Sequence, residues 1–299
     1  MDFTTVITFI RDLVLSVLTL IMMLAPAADG GAEAFEAERP DDLITSFAVV
    51  SDIHVETNNP ASYENYSDVL YGLRAGEDLD AVIYTGDNVM NGQVPEDFLF
   101  YSALRIMKPA KHNLVVVGNH DVGNGEGDYD SLRKKFVANN ALYLGNINMT
   151  DYYYRVINGC YMIVLSTEDN SASGFTMTED QFVWLEGVLE KAKEDNAHVF
   201  VFSHFPIRYL RDSAPERLGK LLTEYNCELF MHGHIHDHLG KDNFYNSYGV
   251  DCINLTRVTE TTDYDAGDGI VVEVYEDEIV VKGRDFINGE WIEGLRYTY

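Results

Sequence analysis

Short apolar runs that lead into clusters of polar side chains are the feature that most constrains the fold of this chain. The nearly all-apolar runs are residues 47–50, 81–84, 114–117, 161–165, 199–202 and 228–231. Runs of this length fit strands that are buried on both faces. Segments of helical character lie between them, at residues 61–74, 95–107, 129–137, 178–193 and 215–225. Strands that alternate with helices predict an α/β fold.

Five of these runs end in clusters of metal-capable side chains. In chain order the clusters are Ser51-Asp52-Ile53-His54, Gly86-Asp87-Asn88, Gly118-Asn119-His120-Asp121, Ser203-His204 and His232-Gly233-His234-Ile235-His236. The carboxyl ends of strands are where α/β folds build binding sites. One such cluster alone is weak evidence, because a Gly-Asp after a strand is usually a turn. Together, the five clusters supply the carboxylate, imidazole and amide donors that a pair of transition-metal ions needs.

The order of the clusters resembles the calcineurin-like metallophosphoesterase superfamily. The pattern of that superfamily is Asp-x-His, Gly-Asp, Gly-Asn-His-Asp or Glu, a lone His, and Gly-His-x-His. Every part is present in order here, and the resemblance covers roughly residues 47–286. It implies a four-layer α-β-β-α sandwich with a dimetal site at the carboxyl ends of the strands. It also implies an enzyme that hydrolyses phosphoesters with two divalent transition-metal ions, such as Mn, Fe or Zn, as cofactors.

The resemblance also implies a role for each residue of the clusters. Asp52, His54 and His236 would bind the first metal ion, Asn119, His204 and His234 the second, and Asp87 would bridge both. The implied mechanism is in-line attack of a metal-bridging hydroxide on phosphorus without a phosphoenzyme. His120 would stabilise or protonate the leaving oxygen, and Asp121 would orient the imidazole of His120.

The opening motif separates the chain from one branch of the superfamily. Purple acid phosphatases have Asp-x-Gly there and a tyrosinate ligand three residues after the bridging Asp, where this chain has His54 and Met90. The motifs look closer to bacterial phosphodiesterases of the cyclic-nucleotide type. We therefore expect a small phosphodiester as substrate, with a phosphomonoester as the alternative. A metal-binding scaffold without catalysis is a distant alternative, since such members usually lack part of the ligand set or the catalytic His.

Several residues near the motifs have open roles. Residues 169–175 and 208–212 are candidate substrate-selecting loops, in which Arg208 or Arg211 either clamps a second anionic group or is a solvated surface arginine. Three roles are open for Asn88 and His232. Each residue supports the site, faces the substrate, or only packs against other residues. His112 is expected to end a strand at the surface.

The charge balance bears on the partners. The chain has 49 acidic and 21 basic residues, for a formal net charge of −28. Binding of polynucleotides depends on clustered Lys and Arg, and the sequence shows no basic patch. We therefore expect a small phosphorylated substrate and no nucleic acid as partner, which also disfavours a nuclease; the oligomeric state is left open.

The amino-terminal segment is expected to direct the chain out of the cytoplasm. Residues 13–24 carry no charge and precede Ala25-Pro26-Ala27, a small-x-small cleavage pattern. We expect residues 1–27 to be a signal peptide of a secreted or extracytoplasmic protein. A retained membrane anchor and a soluble leader helix are the alternatives, because the usual positive flank is missing. Residues 28–43 are predicted to be an acidic linker, and residues 44–299 one metallophosphoesterase domain.

Overall fold

The computed structural model describes residues 39–146, 150–258 and 266–299. The predicted signal peptide or anchor and most of the predicted linker lie outside these residues. The strands are β1 (Thr45–Val50), β2 (Ala81–Tyr84), β3 (His112–Val115), β4 (Tyr153–Ile157), β5 (Cys160–Val164), β6 (Val199–Phe202), β7 (Leu229–His232), β8 (Phe244–Ser247), β9 (Val250–Asn254), β10 (Asp268–Val274), β11 (Ile279–Asp285) and β12 (Glu290–Thr298). The helices are α1 (Pro60–Ala75), α2 (Val94–Met107), α3 (Tyr129–Leu144), α4 (Glu179–Glu194) and α5 (Ala214–Glu224).

The strands form two mixed sheets. Over the described ranges, the first sheet has the order β12-β11-β10-β1-β2-β3 and the second the order β4-β5-β6-β7-β9-β8. The pairs β1–β2 and β2–β3 are parallel, as are β5–β6, β6–β7 and β7–β9. The parallel strands of each sheet therefore end at a common edge. The antiparallel strands extend the first sheet on one side, beyond β1, and the second sheet on both sides.

Apolar side chains fill three layers between these elements. One cluster lies between the two sheets, with Phe47 and Ile83 from the first sheet and Phe200 from the second. A second cluster fills the space between the first sheet and the helices α1 to α3, and a third lies between the second sheet and the helices α4 and α5. The predicted four-layer α-β-β-α sandwich is confirmed.

Helix boundaries follow from caps and from tertiary contacts. The predicted start of α4 is confirmed, because the Thr178 hydroxyl accepts a hydrogen bond from the Gln181 N–H at 3.4 Å. Helix α3 was expected to end at residue 137 but continues to Leu144. Asn is a poor helix former, yet the Asn140 amide donates to the Tyr101 hydroxyl at 3.1 Å, and this contact stabilises the extra turns.

The edge strands β4, β8 and β12 were not among the predicted buried strands. Their residues are only partly buried, as in β12, where most positions are exposed. A pattern of that kind does not stand out from the surrounding loops. Within the described ranges, no helix combines the length and the apolar character needed to cross a membrane.

Candidate metal centre

The five polar clusters meet where the parallel strands end. Asp52 and His54 follow β1, Asp87 follows β2, Asn119 follows β3, His204 follows β6, and His234 and His236 follow β7. One ligand atom from each of Asp52, His54, Asp87 and His236 lies within 4.8 Å of all the others, and the same holds for Asp87, His204 and His234. All seven predicted metal ligands are therefore brought together, Asn119 through a contact described below.

The first group of donors surrounds the Asp52 carboxylate. The His236 Nε2 atom lies 2.8 Å from Asp52 Oδ1 and 3.3 Å from His54 Nε2. The other carboxylate oxygen of Asp52 accepts hydrogen bonds from the Ser51 hydroxyl at 2.5 Å and from the His234 N–H at 3.1 Å. These two bonds fix the carboxylate so that Oδ1 faces the two imidazoles.

The second group surrounds His204. The His204 Nε2 atom lies 3.1 Å from Asp87 Oδ2, 3.1 Å from Asn119 Oδ1 and 3.3 Å from His234 Nδ1. The His204 Nδ1–H donates to the Thr85 carbonyl at 3.0 Å. This bond orients the ring so that Nε2 points at the other donors.

Asp87 belongs to both groups. Its Oδ2 atom lies 3.1 Å from His204 Nε2 in the second group and 3.8 Å from His54 Nε2 in the first. Its Oδ1 atom accepts a hydrogen bond from the His120 N–H at 2.8 Å. The carboxylate is thus placed between the groups, in the position that the family resemblance implies for a bridging ligand.

The donor side chains are arranged to bind a pair of cations rather than to hydrogen-bond with one another. Two imidazole nitrogens face each other at 3.3 Å in each group, where at most one proton can lie between them. Asp52, His54, Asp87 and His204 are almost completely buried, and buried charges need a partner or a metal. A mixed set of imidazole, carboxylate and amide donors suits divalent transition metals. The residues present therefore fit two such ions.

The electrostatics of the donors are dominated by burial and by Asp87. Burial alone lowers the pKa of His204, but the Asp87 carboxylate outweighs it and raises that pKa to about 9. Burial, followed by the charge of His204, lowers the pKa of His234 to about 4. In the metal-free protein the His204 imidazole is therefore protonated on both nitrogens. A cation that binds to Nε2 must displace the proton on that atom.

The backbone at five of the donors is strained. Positive φ angles occur at Asp52 (54°), His54 (50°), Asp87 (51°), His234 (73°) and His236 (58°). A non-glycine residue in this left-handed region costs about 1–3 kcal/mol, and such residues cluster at functional sites. The strain turns the side chains after each strand toward the common centre.

Two motif glycines allow backbone to pack behind the carboxylates. A Cβ atom at Gly118 would lie 2.2 Å from Asp87 Oδ1, and one at Gly233 would lie 2.3 Å from Asp52 Oδ2. Both distances are far below van der Waals contact. Any larger residue at either position would displace a carboxylate of the centre.

His120 lies beside the centre and is held by a backbone carbonyl. Its Nδ1–H donates to the Met90 carbonyl at 2.6 Å, and its Nε2 atom lies 4.0 Å from Asp87 Oδ2. The ring therefore presents Nε2 to the donors, as an acid at this position requires. The prediction that Asp121 orients this imidazole is wrong, because Met90 occupies the Nδ1 position.

Asp121 instead holds the loop after β2 against the loop after β3. Its carboxylate accepts hydrogen bonds from the N–H groups of Asn88, Val89 and Gly118 at 3.0, 3.2 and 2.8 Å, and from the Asn88 side-chain amide at 3.0 Å. Burial and then the charge of Asp87 raise its pKa to about 8. Asp121 and Asn88 thus support the site from outside the donor groups.

The loop that carries Met90 has its own anchors, which the sequence interpretation missed. The Asn91 N–H donates to the Glu96 carboxylate at 2.9 Å. Lys135 donates to the Gly92 carbonyl and pairs with Asp97 at 2.5 Å. A backbone acceptor such as Met90 leaves no signature in the sequence, because any residue provides the same carbonyl.

His232 also supports the site without joining it. Its ring is fully buried, donates from Nδ1 to the Gly233 carbonyl at 2.9 Å, and accepts at Nε2 from the Tyr245 hydroxyl at 2.6 Å. Burial lowers the pKa of His232 to about 3. The ring is therefore neutral and is packed behind the loop that carries His234 and His236.

The comparison with protein families identifies the class of this chain. The profile of the calcineurin-like phosphoesterase family matches residues 45–238. The chain therefore belongs to this family and is a hydrolase that acts on phosphoesters. No curated protein matches the chain.

Solved structures share the fold at low sequence identity. A dimetal phosphatase from Danio rerio is 16% identical, with a TM-score of 0.62, and the match covers 86% of this chain and 99% of that one. GAP50, the anchor in the inner membrane complex of Plasmodium, is 16% identical with a TM-score of 0.53, over 85% of this chain and 87% of its own. These similarities establish the common fold.

Proposed function

We propose that this protein hydrolyses a small phosphodiester with two divalent transition-metal ions. The proposed ligands are Asp52, His54, Asp87, Asn119, His204, His234 and His236. The observation that carries the proposal is the convergence of these donors into two groups that share Asp87. When bound, the two ions supply an activated water and offset the charge of the phosphate.

The residues of the chain have distinct tasks in this reaction. Asp87, between the two groups, fixes their separation, while His120 stands outside them. Because the Met90 carbonyl accepts from Nδ1–H of His120, Nε2 is the ring nitrogen that faces the centre. In its protonated form this nitrogen would donate a proton to the leaving oxygen.

Arg208 is a better candidate than Arg211 for binding the part of the substrate that lies beyond the phosphate group. Arg211 is paired with Asp169 at 3.3 Å. The Arg208 guanidinium instead lies over the rings of Tyr209 and Tyr245, at 5.3 and 5.7 Å from their centroids. The Tyr209 ring contacts the His234 ring at 5.5 Å. Arg208 is therefore held one aromatic ring away from the proposed metal centre, and we expect it to contact an anionic or polar leaving group.

A substrate panel tests the proposal. The full chain would be loaded separately with Mn, Fe, Zn and Ni, its metal content measured, and hydrolysis of bis(p-nitrophenyl) phosphate compared with that of p-nitrophenyl phosphate. We expect about two ions per chain and faster cleavage of the diester. Arg208→Gln should raise the KM for the diester more than it lowers kcat, because it removes a binding contact.

The other outcomes are equally specific. Faster cleavage of the monoester would identify a phosphatase. Two bound ions without turnover of either ester would identify a metal-binding scaffold. A protein that takes up no metal would overturn the ligand assignment itself.

A further inference from the structure

A second polar site lies at the other end of β3, away from the donors that follow its carboxyl end. It is a cavity of about 260 Å³ between the end of α2, the start of β3, the end of α3, and β4. The apolar part of its lining comes from Leu104, Leu114 and Tyr143, among others. Its volume suits a small molecule rather than a polymer.

The cavity is lined by an unusual concentration of positive charge. Arg105, Lys108, Lys111, His112 and Arg155 all line it, and the lining includes no acidic residue of the described chain. The whole chain has only 21 Lys and Arg against 49 Asp and Glu. The expectation that the chain has no basic patch is therefore wrong, because α2, β3 and β4 bring together basic residues that are spread over the sequence.

Most of these cations are not used to neutralise acidic side chains. Within the described ranges, no ion pair joins Arg105, Lys108 or Lys111 to a carboxylate. Arg105 donates to the Leu142 carbonyl at 3.0 Å, as expected of a cation beside the end of a helix. Lys111 and Arg155 lie outside the helices, so interaction with helix ends does not explain the whole cluster.

Lys108 occupies a position that favours glycine. It follows α2 with a φ of 44°, in the left-handed region. Glycine adopts this conformation without strain and is the usual residue there. The chain instead places a cationic side chain in the lining of the cavity.

We propose that this cavity binds a small phosphorylated molecule, such as a nucleoside or sugar phosphate. Arg105, Lys108, Lys111 and Arg155 surround the phosphate, since charge-assisted hydrogen bonds to phosphate are strong. The site is separate from the metal centre and does not depend on the proposed function.

Calorimetry on the metal-loaded full chain tests the site. The probe is the 5′-phosphonate of adenosine, which hydrolysis cannot consume, with adenosine and inorganic phosphate as separate probes. We expect the Lys108→Gln/Lys111→Gln variant to lose one binding event or to weaken it by at least about ten-fold. The matched control is Lys191→Gln/Lys220→Gln, which changes two exposed lysines of α4 and α5.

The outcomes separate the parts of the proposal. Unchanged phosphonate binding in the cavity variant, or equal weakening in the control, would overturn it. Phosphate that binds as tightly as the phosphonate would contradict binding of the organic part of the ligand in the cavity. Hydrolysis of bis(p-nitrophenyl) phosphate is measured in parallel, so that an inactive protein with an intact cavity site reports on the metal centre alone.

Discussion

The two ends of β3 build sites of opposite charge by opposite means. At the carboxyl end, Asn119 joins buried carboxylates and imidazoles that are fixed by strained backbone and by hydrogen bonds. At the amino end, long side chains such as Lys108 and Lys111 reach a cavity from exposed positions. A pair of metal ions demands fixed geometry, whereas several mobile cations can adapt to one phosphate. The contrast teaches that a site for metal ions is built from buried, strained donors, whereas a site for phosphate can be built from exposed cations.

The largest expected effect comes from the shared carboxylate. Asp87→Asn weakens a ligand common to both donor groups, so it should lose at least one metal ion and reduce turnover nearly to background. Binding of the adenosine phosphonate at the other end of β3 should persist. Metal analysis, turnover and calorimetry check the three parts. A variant that keeps both ions and half of its turnover would contradict the role of Asp87.

A smaller effect is expected from the residue beside the centre. His120→Ala removes a proton donor but no proposed ligand, so kcat should fall by about 10²–10⁴-fold while the metal content stays that of the parent. His198→Ala is the matched control, because that ring is paired with Glu228 at 2.9 Å on another part of the chain. Equal kcat in the His120 variant and the parent would remove His120 from the mechanism.

The smallest effect concerns stability and compares His232, behind the metal centre, with His112, in the lining of the basic cavity. Burial lowers the pKa of His232 to about 3 from its ordinary value of 6.5. Between these values the unfolded chain binds a proton that the folded chain does not. The resulting stability is complete above about pH 6.5 and is lost as the pH falls, by up to about 1.4 kcal/mol per pH unit.

Urea unfolding of the metal-free protein at pH 7 and pH 5 measures this contribution. The free energy of unfolding of His232→Gln should depend less on pH than that of the parent, by about 2 kcal/mol over this interval. Burial also lowers the pKa of His112, but that ring is only partly buried, so His112→Gln should show a smaller change. A larger change in the His112 variant would contradict the stronger effect of burial on His232.

Much of the metal centre could be predicted from the sequence. Two sequence signals identify a ligand side chain at the end of a buried strand. One is the chemistry of the side chain, and the other is the apolar run that precedes it. The predicted strands 81–84 and 199–202 coincide with β2 and β6, so the positions of Asp87 and His204 followed directly. The residues meet because parallel strands share one edge.

Other features could not be predicted because they arise only in three dimensions. Met90 acts through its carbonyl, which every residue possesses. Asp121 follows His120 in the chain, yet its carboxylate bonds to Asn88 and Gly118, so adjacency in sequence was misleading. The basic cavity combines Arg155 with residues of α2 and β3, and no local window of the sequence contains them all.

The left-handed backbone of five proposed ligands also limits how this site can change during evolution. Asn, Asp and His tolerate that conformation and Gly adopts it freely, whereas β-branched residues do not. Replacement of Asp52 or His236 by Val or Thr would therefore lose a ligand and disrupt the loop at once. A lineage that abandons catalysis but keeps the fold should first exchange these positions for Asn or Gly. Such exchanges would mark a relative that has lost its chemistry while its architecture persists.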